Sequence, residues 1–212
     1  MTEPLGNALL DVRRAYRLLA DYQQRMFELL AYLRDSLGAQ DYYQTYAHSL
    51  PQRVAGLENL KSSGLRYLPF HDISVLWLRT PQNQPEPWHN HRQGDLMFGA
   101  WVRSDTGYDK FTGQFSGAPA EATQTILVLS VVICDVPEKD GNWHRDVWSS
   151  ISYPLDGAIN DQDKPGYRCF AKAIPLEQLG DKLAIDSALQ AWCLAASQTL
   201  DVPISTHPLP PA

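Results

Sequence analysis

Residues 125–134 read TILVLSVVIC, the longest apolar run in the chain. Both faces of this segment are apolar when it is extended, which predicts a central strand covered on each side. At ten residues it is half the ~20 needed to cross a bilayer as a helix. Working upstream, Gly94 to Arg103 alternates, with Leu96, Phe98, Ala100 and Val102 on one face and Met97, Gly99 and Trp101 on the other. Ile73 to Arg79 is rich in strand formers and is broken by Pro81, Pro85 and Pro87. Between Arg103 and Thr125, Ser104 to Ala122 reads as a glycine-rich loop with a short strand near Phe111 to Phe115. Downstream, Lys139-Asp140-Gly141-Asn142 is turn chemistry. His144 to Tyr153 then reads as a half-exposed strand, Pro154 to Gly166 as a polar acidic loop, and Tyr167 to Ile174 as a last strand.

Helices flank this run. From Ala8 to Leu37, apolar residues recur at three-and-four spacing (Leu9, Val12, Tyr16, Leu19, Met26, Leu29, Leu30, Leu33), opposite Arg13, Arg14, Arg17, Asp21 and Glu28. The pattern predicts a long helix packed along its whole length and stopped at Gly38. Asp41 to Gly64 reads as further helix, interrupted at Leu50-Pro51 and resuming over 52–61. A C-terminal helix is expected from Asp181 to Leu200. It has no charged residue from Ser187 onward, which predicts burial on most sides or cover by a partner. Val202 to Ala212 contains four prolines and reads as an extended or loose tail.

The expected fold is therefore α+β: an antiparallel or mixed sheet of about five strands flanked by a long N-terminal helix and an apolar C-terminal helix. The expected organisation is an N-terminal helical segment (1–66) packing on the sheet, a sheet core with the C-terminal helix (67–201), and the tail (202–212), as one unit. A chain of 212 residues can bury a sizeable core without staples. The net charge of −6 argues against nucleic acid as a direct ligand. Cys134, Cys169 and Cys193 form no Cys-x-x-Cys pair and are expected to be buried free thiols. No charged n-region followed by an apolar h-region stands at Met1 to Gly6, so the expected location is cytoplasmic, with no membrane.

The richest chemistry lies at Trp88-His89-Asn90-His91, with Asp95 four residues on. On an extended chain, His89 and His91 point the same way and can share one divalent metal. The string resembles part of the first cupin motif over about twenty residues, with Asp95 where that family carries Glu and without the second motif. In an antiparallel meander, strand ends at Asp95, Asp135, His144 and Asp146 share one edge with His89 and His91, a set suited to metal-dependent hydrolysis or nuclease chemistry. His71 and Asp72 fall at the opposite edge. A PD-(D/E)xK core is not supplied: after Asp95 or Asp105, the strand Ile126 to Cys134 carries neither acid nor Lys. No G-x-S-x-G elbow, P-loop, G-x-G-x-x-G or EF-hand spacing occurs.

These features leave three readings. The favoured one is a non-catalytic partner-binding or assembly protein, a component of a multi-protein system or a homo-oligomer. Its contacts are expected at the loop tryptophans Trp88 and Trp143 and on the uncharged helix at Leu189 and Trp192. The alternatives are the metal-dependent hydrolase at the His/Asp edge and a small-ligand sensor with an aromatic-lined pocket.

Overall fold

The computed structural model describes residues 3–46, 72–81, 84–109 and 114–206. The helix expected over 52–61 and His71 lie outside the described residues. Strand β6 (Ile126–Cys134) is buried at every position. It lies inside a six-stranded antiparallel sheet of order β1-β2-β3-β6-β8-β7. The other strands are β1 (Gln40–Tyr46), β2 (Asp72–Arg79), β3 (Leu96–Arg103), β7 (Asp156–Asn160) and β8 (Tyr167–Pro175). β4 (Tyr108–Asp109) and β5 (Gln114–Phe115) form a separate two-stranded ribbon. The class is α+β as expected, with one strand more than the five anticipated.

The extra strands are at the two edges, where the sequence pattern is weakest. β1 was expected to be helical. Gly38, at φ +60, turns the chain out of the preceding helix, and QDYYQTY then pairs antiparallel with β2. Tyr and Thr fit a pleated, half-covered strand better than a helix. β7 lies in the stretch read as an acidic loop. It is an outer strand with little burial, so its residues carry no apolar alternation.

The opposite error occurs at His144–Tyr153, which is not a strand. Trp143–Val147 is a π-helical turn and Trp148–Ser150 a 3-10 turn. Asn142 starts it, its side-chain oxygen accepting from the amides of His144 and Arg145. Trp143, Val147 and Ile151 are buried at four-residue spacing, a helical period.

Two helices cover one sheet face. α1 (Glu3–Ser36) buries Leu29, Leu30 and Leu33 against Ile73, Trp77, Phe98 and their neighbours. α2 (Lys182–Leu200) starts on an Asp181 cap to the Ala184 amide and buries Leu189, Trp192, Cys193, Ala196 and Leu200 in the same core. Trp192 donates its indole N–H to the Leu129 carbonyl. Burial on most sides, expected for α2, is not what the structure shows. Its outer face carries Ser187, Gln190, Leu194 and Gln198 in solvent, so uncharged residues, a leucine among them, replace the usual charges. The Pro-rich segment begins docked rather than loose: Ile204 is buried, its amide donating to Ser197 Oγ.

On the second face, the turns at 143–153 pack on Leu76, Leu78, Met97, Val132, Cys134 and Cys169. The three cysteines are buried and free. Burial pushes their thiols up, to about 11 at Cys134 and Cys193 and about 12 at Cys169. Among the described residues, no helix is long and apolar enough to cross a membrane.

Candidate functional site

The antiparallel ladder does bring several expected positions to one edge. Arg79 stands opposite Leu96, Leu96 opposite Ile133, and Cys134 opposite Tyr167. Several side chains there bond or stack on neighbouring residues. His91 is buried, with its ring stacked on Trp143 at 4.2 Å between centroids. Its Nδ1 lies 2.7 Å from Tyr167 Oη and its Nε2 3.2 Å from the Trp88 carbonyl. A carbonyl only accepts, so Nε2–H donates to it and Nδ1 accepts from the tyrosine hydroxyl. Both ring nitrogens are occupied, and burial lowers the His91 pKa.

The remaining members are held apart. His89 sits in a tight turn, its amide donating to the Glu86 carbonyl, so it does not share an extended segment with His91. Buried Asp95 accepts from Gln84 Nε2 and the Arg92 amide. Asp135 holds Arg168 through two bonds, at 2.5 and 2.8 Å. The His144 ring stacks on Tyr43, 3.7 Å between centroids. Asp146 accepts from Arg145 and the Asn142 amide, and Arg145 first among them draws its carboxyl down to about 2. Among the described residues, no group of three or more His, Cys, Asp or Glu side chains is placed to hold a metal ion. Strand ends converge, but a turn stands where the fourth strand was expected, and local partners take up the side chains of His91, Asp95, Asp135, His144 and Asp146.

The residues expected to meet a partner are placed unevenly. Trp88 is exposed at this edge. Trp143 is fully buried under the His91 ring, and Leu189 and Trp192 face the sheet. These three are core residues, because the turn at 143 folds inward and α2 lays its aromatic face on β6.

Exposed apolar surface lies instead on the first half of α1. Residues 6–18 are exposed throughout, including Leu9 (49%), Val12 (49%), Tyr16 (66%) and Leu18 (71%). Leu9, Val12 and Tyr16 continue the stripe that Met26, Leu30 and Leu33 lay on the sheet. The expected packing along the whole helix fails on length. The 34 residues of α1 span ~51 Å, whereas the nine residues of β6 span ~30 Å. The helix overhangs the sheet by some four turns, a mismatch that element lengths alone could have revealed.

Where α1 reaches the body, a cleft of about 790 Å³ opens beside it. Tyr22, Arg25, Met26, Leu29 and Tyr32 form its α1 wall, and Leu176 to Ile185 much of the other. Tyr22 bonds Ser104 Oγ at 3.0 Å, Arg25 donates to the Gly180 carbonyl, and Tyr32 donates to Asp186 at 2.5 Å. Lys182 rests over the Tyr32 ring.

The sequence profile of the PM0109 family matches residues 2–201. The chain belongs to the PM0109 family. Its similarity to the uncharacterized protein PM0109 of Pasteurella multocida (strain Pm70) is 32% identity over 204 residues, covering 93% of this chain and 96% of that protein. No solved structure matches. The shared region takes in the overhanging half of α1 as well as the sheet, so the overhang is part of the PM0109 family unit.

Proposed function

We propose that this PM0109-family chain is a partner-binding or assembly protein whose docking element is the free half of α1. The observation that carries this reading is the exposed row Leu9, Val12 and Tyr16 on a helix already anchored at its other end. An isolated amphipathic segment of this length is marginal in water, and its apolar side gains most by lying in a complementary groove. The anchored half supplies the rigidity, so docking orders few additional residues.

The test is capture from native extract on the immobilised full chain, compared with a Leu9→Ser, Val12→Ser, Tyr16→Ser variant. The three residues are exposed, so the variant should keep its circular dichroism spectrum. Stripe-dependent loss of captured protein, whether another protein or the chain itself, is the expected result. An identical captured set from both chains would refute the reading.

A further inference from the structure

We infer that the cleft between α1 and the segment joining β8 to α2 is a binding site for a short free peptide, a zwitterion with apolar side chains. This goes beyond the docking reading above and does not rest on it: the α1 wall of the cleft begins at Tyr22, whereas the exposed row Leu9, Val12 and Tyr16 lies on the overhang.

The shape of the cleft comes from helical spacing. Tyr22, Arg25, Leu29 and Tyr32 recur at intervals of three, four and three, so they share one face of α1 and line the cleft over ~15 Å. Leu176, Leu179 and Ile185 line it from the other side, and Leu29 and Leu179 are buried beneath it. The two phenols are fixed, Tyr22 on Ser104 and Tyr32 on Asp186, so the walls are formed before any ligand arrives. A volume of about 790 Å³ lies within the ~300–1,000 Å³ of small-molecule sites. A tripeptide, ~10 Å when extended, fits along the wall.

Charge defines the ligand. Arg25, Lys182, Glu28, Glu177 and Asp181 all line the cleft. Among the described residues, none of the five holds an ion pair, with one another or elsewhere. Neutral groups hold four of them in place. Arg25 donates to the Gly180 carbonyl, Lys182 rests over the Tyr32 ring, Glu28 accepts from Gln24, and Asp181 accepts from the Ala184 amide. Each contact leaves capacity: Arg25 has further N–H donors, the Lys182 ammonium all of its own, and each carboxylate a second oxygen. Uncompensated charges of both signs around an apolar floor complement a ligand that carries both. The carboxylate of a peptide meets Arg25 and Lys182, its ammonium meets Glu28 and Glu177, and its side chains cover the leucines. A ligand of one sign fits less well, since an anion faces three carboxylates and a cation faces two cations.

The experiment is calorimetric titration of the purified full chain with the tripeptide Leu-Ala-Leu and with its N-acetylated, C-amidated and doubly capped forms. The free tripeptide should saturate one site at or below millimolar concentration. Each cap removes one charge-assisted contact and should weaken binding about tenfold. Arg25→Gln, Lys182→Gln and Glu177→Gln alter exposed side chains, so each should weaken binding severalfold with an unchanged circular dichroism spectrum. The Leu9→Ser, Val12→Ser, Tyr16→Ser variant should bind the tripeptide like the parent chain. No saturation by the free tripeptide overturns the proposal, as does equal binding of the doubly capped form. Binding that survives all three glutamine substitutions places the peptide elsewhere and overturns it as well.

Discussion

Gly99 offers a stringent test of how the second sheet face is packed. It lies mid-strand on β3, opposite Leu76 of β2 and Ser130 of β6. A methyl group built there would sit 2.5 Å from Ser130 Oγ, and 2.8 and 3.1 Å from Cζ3 and Cη2 of Trp148. The serine hydroxyl, which donates to the Gly99 carbonyl at 3.4 Å, can rotate away about one bond. The indole cannot: it is held against Tyr153, 4.1 Å between ring centroids, and the Tyr153 hydroxyl donates to the Trp148 carbonyl. Replacing glycine with alanine in a strand recovers about 0.5–1 kcal/mol of chain entropy. Overpacking of this kind costs about 1–3 kcal/mol. Gly99→Ala should therefore destabilise by about 1–2 kcal/mol. At 2–4 °C per kcal/mol for a chain of this size, the midpoint should fall by roughly 2–8 °C. Urea unfolding followed by tryptophan fluorescence measures this directly. In a Trp148→Leu background the indole no longer obstructs and only the Ser130 hydroxyl remains, so the same substitution should cost less, a coupling of about 0.5–3 kcal/mol. Equal cost in both backgrounds, or no cost in the first, would show that the indole does not occupy the space above Gly99.

Other outcomes follow from the same packing. Trp192→Ala, which empties a site buried beneath α2, should cost about 3–5 kcal/mol, while Leu194→Ser on the outer face of that helix should stay within about 0.5 kcal/mol, both read from denaturant midpoints. Burial holds the His91 pKa below its unfolded value near 6.5, so the unfolded chain binds the extra proton first. Stability should then fall as pH drops below about 6.5 and level off beneath the folded pKa. His91→Gln should flatten that slope in urea midpoints taken at pH 5, 6 and 7, without abolishing it, because burial lowers His144 as well. A slope unchanged by the substitution would place the titration elsewhere.

The elements legible in the sequence were those with one dominant environment. TILVLSVVIC reads as a covered strand because every residue of β6 is buried. The three-and-four spacing from Leu9 to Leu33 reads as helix because that period is independent of what covers it. What covers it was not legible: Leu9 and Leu33 look alike in the pattern, yet one is half-exposed and the other 1% exposed. Edge strands β1 and β7 escaped because outer strands need no alternation. Trp143 to Ile151 misled through strand-favouring residue types arranged at a helical interval. Strand direction was inferable, but the stacking of His91 on Trp143 and the pairing of Asp135 with Arg168 depend on turns no period announces.

The place of β6 in the sheet also bears on synthesis. Its neighbour β3 precedes it in the chain, but its other neighbour β8 and the cover from α2 follow it. Sixty-six residues separate Cys134 from Leu200. At 5–20 residues per second, the ribosome takes roughly 3–13 s to deliver them. Throughout that interval the most apolar strand of the protein has one open edge and an open face, so β6 is the segment of the nascent chain most in need of a chaperone's shelter.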